Sequence, residues 1–125
     1  MKNLLAPALF IVVGLLSLSV PAFGHHSTVD YDMTKMATVK GTVTGFQLIN
    51  PHSQIQFDVK GENGTVEKWT AELNSAASLY RSGWTKNSVK AGAEITATGN
   101  VSKNGTPTMH LRKVMVDGQE LPIDR

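Results

Sequence analysis

An alternation of small or apolar residues with polar ones begins near residue 37, and it constrains the fold more than any other feature of this chain. One face carries Val39, Gly41 and Val43, and the residues between them are polar, as in a half-buried β-strand. The apolar phase slips by one residue at Gly45, which is typical of a bulge or glycine bend in a strongly curved strand. A long first strand with sharp curvature indicates a small barrel.

Turn signals such as Asn50-Pro51 divide the rest of the chain into four more strands and one short helix. Asn74 or Ser75 can cap the helix, which ends near Arg81 ahead of Gly83. The strands are predicted around residues 55–59, 69–73, 95–101 and 108–116. The order β-β-β-α-β-β predicts an all-β protein with one short helix, folded as a five-stranded OB-fold-like Greek-key barrel.

The inward face of the last predicted strand is ambiguous. Met109 and Leu111 lie out of phase with Val114 and Val116, so a single two-residue period does not bury all four side chains. After this strand the sequence predicts only a short tail.

The first 24 residues have the pattern of a cleavable signal peptide, with Lys2 ahead of an apolar run and small residues near the end. Pro7 and the shortness of the run disfavour the alternative, an uncleaved membrane anchor. Cleavage is expected after Ala22 or after Gly24, because both cuts obey the small-residue rule. We therefore expect a periplasmic protein without a stable membrane anchor after cleavage.

The mature chain is then expected to consist of an extended N-terminal arm, residues 25–36, and an OB-like β-barrel domain, residues 37–125. Because the sequence has no cysteine, lipid anchoring through cysteine, disulfides and thiolate metal ligands are excluded. Removing residues 1–24 leaves 11 basic against 10 acidic residues, a net charge of +1. So small a surplus gives no electrostatic reason to expect nucleic acid as a partner.

Several short motifs together resemble a known family. They are the His-His-Ser start, Lys40-Gly41-Thr42-Val43, Asn50-Pro51-His52, Trp69 with Glu72-Leu73, Gly83-Trp84, and Ala91-Gly92 followed by Ile95 and Thr98-Gly99. The mature chain is similar to small exported bacterial proteins grouped as a domain of unknown function. The resemblance implies a periplasmic protein with an OB-like barrel, and it brings no established activity. Ser53 and Gln54 depart from the bulkier apolar residues typical of the relatives.

The histidines are the candidate metal ligands. A cut before His25 leaves an α-amine and an imidazole that can chelate one metal, and a third nitrogen would complete a site that suits copper(II). A cut before Phe23 places a histidine third from the amine, and that terminus can form a square-planar site for copper(II) or nickel(II). The further nitrogen donors are His26, His52 and His110. Copper is the expected cofactor, and no other is expected.

Other residues carry weaker signals. Met33 and Met36, or Met109 and Met115, could offer thioethers to copper(I), although methionine more often fills a core. No nucleophile motif and no closely spaced carboxylate pair on one strand face is recognised, so an enzyme is not expected. The sequence therefore predicts a periplasmic metal-binding protein. The alternative is a binding module for a small molecule, an oligosaccharide or a protein partner.

Overall fold

The computed structural model describes residues 30–124. The signal peptide predicted for residues 1–24 lies outside the described residues, and so do His25 and His26. The elements in chain order are β1 (Tyr31–Gln47), β2 (Ser53–Lys60), β3 (Val66–Leu73), α1 (Ala76–Arg81), β4 (Glu94–Ser102), β5 (Thr108–Val116) and β6 (Gln119–Leu121).

The strands form one sheet in the order β3-β2-β1-β4-β5-β6, and a parallel pairing of β3 with β5 closes it into a barrel. All other strand pairs are antiparallel, and the first three strands form a meander. The helix lies between β3 and β4 in sequence. The predicted OB-fold barrel with one short helix is confirmed. The predicted count of five strands is one too few, because β6 pairs with the end of β5.

The bulge predicted in the first strand is present. Val43 pairs with Phe57 and Gly45 pairs with Gln56, so Thr44 is the extra residue on β1. This extra residue explains the slip in the apolar phase, because it reverses which side chains face the core. The strand also begins earlier than expected: residues 31–36, assigned from the sequence to the arm, are the first part of β1.

The barrel interior and α1 form one hydrophobic core. Ser75 caps the helix as predicted, since its hydroxyl accepts a hydrogen bond from the Ser78 amide at 3.2 Å. Leu79 on the helix is fully buried, and Trp84 just after it is 2% exposed. Strand residues at the centre of the core are Val43, Ile55, Phe57, Ala71, Leu73, Ile95, Ala97, Met109, Leu111 and Val114. No helix within residues 30–124 is long and apolar enough to cross a membrane.

Candidate functional site

The two histidines of the barrel lie beside the same carboxylate. His52 stands in the turn just before β2, and its Nδ1 is 3.7 Å from Oε1 of Glu72 on β3. His110 on β5 is the direct register partner of Glu72 across the parallel β3–β5 pairing. Barrel closure therefore brings together two imidazoles that are far apart in the sequence.

Local hydrogen bonds hold the turn that carries His52. The fully buried Ser53 hydroxyl accepts a hydrogen bond from the Ile49 amide and donates one to the Ile49 carbonyl, each at 3.2 Å. A bulky apolar side chain could not make this pair of bonds, which gives the departure at position 53 a structural reason. His52 itself is 59% exposed and can meet a ligand from solvent.

Tyr31, the first residue of β1, completes the group. Its hydroxyl donates a hydrogen bond to Oε2 of Glu72 at 3.0 Å, and its ring centroid lies 5.7 Å from that of His110. The cluster of Tyr31, His52, Glu72 and His110, called here the Glu72 cluster, therefore lies where the chain enters the barrel.

The electrostatic environment keeps two members of the cluster neutral. Burial, the nearby Arg112 cation and His52 lower the pKa of His110, and the Glu72 charge only partly opposes this shift. Burial, the charge of Glu72 and its hydrogen bond raise the pKa of Tyr31. His110 is accordingly a neutral imidazole near neutral pH, the form that binds metals. Tyr31 is a protonated phenol whose hydroxyl donates a hydrogen bond to Glu72.

The Glu72 cluster is not a closed metal site. Within residues 30–124, no three or more histidine, aspartate or glutamate side chains are gathered closely enough to hold an ion. Two imidazoles and one carboxylate are present, and Tyr31 already occupies one carboxylate oxygen. Of the four predicted ligands, the structure places His52 and His110 together, and His25 and His26 lie outside the described residues.

A groove of about 520 Å³ lies beside His110. Met33, Met36, Arg112 and Ile123 line it together with His110, and it is called here the methionine groove. Met33 and Met36 are 61% and 59% exposed, whereas Met109 is fully buried in the core. Core packing, the expected role of methionine in this chain, therefore holds for Met109 and fails for the two methionines of β1.

The family is decided by a match to DUF6152, a family of unknown function, over residues 12–110. The chain belongs to this family. The predicted resemblance to a domain of unknown function is confirmed, and no characterised protein matches the sequence.

Solved structures similar to this DUF6152 chain are single-stranded DNA-binding proteins. The mitochondrial protein Rim1 of S. cerevisiae is 8% identical, with a TM-score of 0.51 over 70% of this chain and 94% of that one. The small single-stranded DNA-binding protein of Streptomyces coelicolor is 16% identical, with a TM-score of 0.48 over 66% of this chain and 91% of that one. At such low identity the likeness to Rim1 shows the fold.

The likeness to Rim1 overturns one expectation. Nucleic acid was excluded as a partner because the mature chain carries a net charge of only +1. The exclusion was wrong, because the barrel has the fold of proteins that bind single-stranded DNA. Net charge is a sum over the whole surface, and it does not describe one face of a barrel.

Sequence reasoning missed Tyr31 and Glu72 as members of the site. Glu72 points away from the core between the buried residues Ala71 and Leu73, as a solvated surface carboxylate also does. Its place in a motif with Leu73 was the one signal that singled it out. Tyr31 stood in the predicted arm, so nothing in the pattern connected it with a strand at the far end of the sequence.

Proposed function

We propose that this protein is a periplasmic transition-metal carrier that binds copper through its processed N-terminus and the histidines of the barrel. The observation that carries the proposal is the convergence of His52 and His110 on Glu72, beside the residue where β1 begins. Free imidazole donors then stand at the point where an N-terminal segment with two further histidines joins the barrel.

Chain length supports a shared site. His26 precedes Tyr31 by five residues. Because an extended chain covers at most about 3.5 Å per residue, His26 can lie up to roughly 17 Å from Tyr31. Tyr31 itself contacts both Glu72 and His110. The terminal histidines are thus within reach of the cluster without any change in the barrel.

The donor chemistry fits copper(II). Cleavage before His25 provides an amine and an imidazole, and one barrel imidazole would complete three nitrogen donors. His110 is suited to this role because its lowered pKa favours the unprotonated ring that binds metals. Glu72 contributes negative charge beside both barrel imidazoles, which favours a cation there.

A copper titration of the protein isolated from the periplasm tests the proposal. Intact mass fixes the cleavage position, and a d–d absorption band with a nitrogen-rich spin-resonance signal should develop up to one equivalent. His25→Ala should abolish that signal, and His52→Ala or His110→Ala should remove one nitrogen from it. Asn87→Ala, on an exposed loop, serves as the matched control. An unchanged signal in His25→Ala would refute the proposed function.

Single-stranded nucleic acid is the second candidate, and the fold shared with Rim1 favours it. On β3, the partly exposed Trp69 ring stacks on Phe57 with centroids 6.3 Å apart. Aromatic rings on which bases can stack are the usual platform for single strands. Fluorescence anisotropy of labelled oligothymidine tests this function. Binding that weakens as salt is raised and is lost in Trp69→Ala would support it, and constant anisotropy would remove it.

A further inference from the structure

Met33 and Met36 occupy an unusual position for apolar side chains. Both lie on β1 ahead of the alternating segment, and both are more than half exposed, at 61% and 59%. Methionine normally fills gaps in a core, as Met109 does in this barrel. Two thioethers held in solvent on one groove therefore need an explanation other than packing.

An irregularity in β1 turns both methionines toward the same groove. Tyr31 pairs with Ser102 and Met36 pairs with Asn100, so five steps along β1 correspond to two steps along β4. Residues three apart in a regular strand face opposite sides. The extra residues between the two pairs break this alternation, and both methionines line the methionine groove.

Local hydrogen bonds define this bulge. The Asp32 carboxylate accepts hydrogen bonds from the Thr34 amide at 2.9 Å and from the Thr34 hydroxyl at 2.6 Å. The side-chain amide of Asn100 donates to the carbonyls of Asp32 at 3.2 Å and Lys35 at 3.4 Å. Asn100 is only 3% exposed, so its donors have no alternative partner in water. The conformation of the segment that carries Met33 is therefore held by specific hydrogen bonds to the barrel.

A second bulge lies on β5, which flanks β4 on the side away from β1. Gly99 pairs with Leu111 and Thr98 pairs with Lys113, which leaves Arg112 as the extra residue on β5. Arg112 Nε donates to the Asn100 side-chain oxygen at 2.9 Å, and its Nη2 lies 3.9 Å from the sulfur of Met33. The buried Asn100 side chain is thus hydrogen-bonded to both bulges. Bulges are common next to functional sites, where they redirect side chains.

We propose that Met33, Met36 and His110 form a second copper site, selective for copper(I). Thioethers are soft donors that prefer copper(I), and a neutral imidazole is a suitable third ligand. All three side chains line the methionine groove, and the two methionines are exposed and flexible enough to close on an ion. The inference rests on the proposed copper function and shares His110 with it, but it concerns another oxidation state, with two thioethers in place of the N-terminal donors.

Arg112 favours a monovalent over a divalent ion at the thioethers. The groove lining carries the Asp124 carboxylate as well as the Arg112 guanidinium, but it is the guanidinium that contacts the sulfur of Met33, and none of the ion pairs formed within residues 30–124 includes it. At equal distance this charge repels a divalent ion about twice as strongly as a monovalent one. Copper(II) is therefore directed to the nitrogen donors of the N-terminus, and copper(I) to the thioethers.

Competition with a chromophoric copper(I) chelator under anaerobic conditions tests the site. The mature protein should withdraw copper(I) from the chelator, and Met33→Leu with Met36→Leu should weaken its affinity by at least about tenfold. Met115→Leu, on the opposite end of β5, is the matched control and should leave the affinity unchanged. Both exposed methionines can be replaced without loss of core packing, so folding should be preserved.

Silver(I) provides a redox-inert probe of the same ligands. Its addition should shift the methyl resonances of Met33 and Met36 and leave those of Met109 and Met115 in place. Stationary Met33 and Met36 resonances, or full copper(I) affinity in the double variant, would overturn the site. His25→Ala separates the two proposals: it should abolish the copper(II) signal and leave copper(I) affinity intact. Loss of copper(I) affinity in that variant would also contradict an independent thioether site.

Discussion

At the scale of single residues, two glycines of β1 show that position matters more than residue type. A Cβ atom on Gly41 would lie 2.3 Å from the Asp58 carbonyl oxygen and 2.9 Å from the Phe57 ring. A Cβ atom on Gly45 would meet only the end of the Gln56 side chain, at 3.0 Å. Backbone cannot move aside as a flexible side chain can.

We therefore expect Gly41→Ala to lower the free energy of unfolding by about 2 kcal/mol. Gly45→Ala should change it by less than about 0.5 kcal/mol, since the Gln56 side chain can adopt another rotamer. Urea unfolding of both variants at neutral pH measures the two effects. Equal midpoints for the two variants would contradict the close approach of β1 and β2 at Gly41.

The protonation of His110 gives a second prediction at this scale. Burial and the Arg112 cation hold its pKa below the ordinary value of 6.5. Arg112→Gln should raise this pKa, and Glu72→Gln should lower it further, because the carboxylate favours the imidazolium. Titration of the imidazole resonances by NMR measures both shifts, with Arg81→Gln as a remote control. A pKa at or above 6.5 in the unmodified protein would contradict the environment described.

The same shift makes stability depend on pH. The unfolded chain binds a proton at His110 near 6.5 and the folded chain binds it only at lower pH. The contribution of neutral His110 to the free energy of unfolding is therefore fully present above pH 6.5, and it is lost as the pH falls through the pKa of the folded state. His110→Asn should lose less stability than the unmodified protein on acidification through this window. Parallel urea unfolding above and below 6.5 measures the difference, and identical acid sensitivity would contradict it.

At the scale of elements, the strand pattern was predictable where the two-residue period is unbroken. The alternation in β2 and β3 predicts both strands, and the slip at Gly45 predicts the bulge, because each is a local property. The ambiguous inward face of β5 has the same cause as the slip in β1. Arg112 is an extra residue, so Leu111 and Val114 both reach the core although their phases differ.

Two elements were not predictable from local pattern. The first residues of β1 are polar and irregular, and their pairing depends on hydrogen bonds from Asn100, which lies on another strand. β6 has only three residues, too few to show a period, and it exists because the end of β5 offers a free edge. Such segments are set by their partners and not by their own sequence.

Asn100 is the residue that connects the two bulges, and its removal tests that role. Asn100→Ala deletes two hydrogen bonds to the β1 bulge and the acceptor of Arg112 Nε. Because Asn100 itself is buried, the loss of these part-buried hydrogen bonds should lower the free energy of unfolding by about 2–3 kcal/mol. Asn87→Ala on an exposed loop is the control. Similar urea midpoints for the two variants would contradict the connecting role.

At the scale of the whole molecule, barrel closure creates the candidate site. His52 and His110 were identifiable by residue type, but their meeting depends on the parallel pairing that places Glu72 beside His110. No local period encodes which strands meet when a sheet closes. For the same reason Tyr31 could not be connected with Glu72, although a hydrogen bond joins the first residue of β1 to the end of β3.

The end of the described chain also closes over the core. Trp84 Nε1 donates to the Pro122 carbonyl at 2.6 Å, and the side-chain amide of Asn74 donates to the Asp124 backbone carbonyl at 3.0 Å. Ile123 packs against the core, and Trp84 is buried beneath this segment. The tail predicted from the sequence therefore acts as a cover that satisfies a buried indole donor.

A chain that ends at Leu121 should lose this cover. We expect its free energy of unfolding to fall by about 2–4 kcal/mol, since a buried N–H loses its acceptor and the Ile123 side chain is removed. In a Trp69→Phe background, Trp84 fluorescence should shift to longer wavelength as water reaches the ring. A chain that ends at Asp124 keeps these contacts and should match the full chain. If the chain that ends at Leu121 has the same free energy of unfolding and the same Trp84 emission wavelength as the chain that ends at Asp124, the segment does not stabilise the barrel and the core is complete without it.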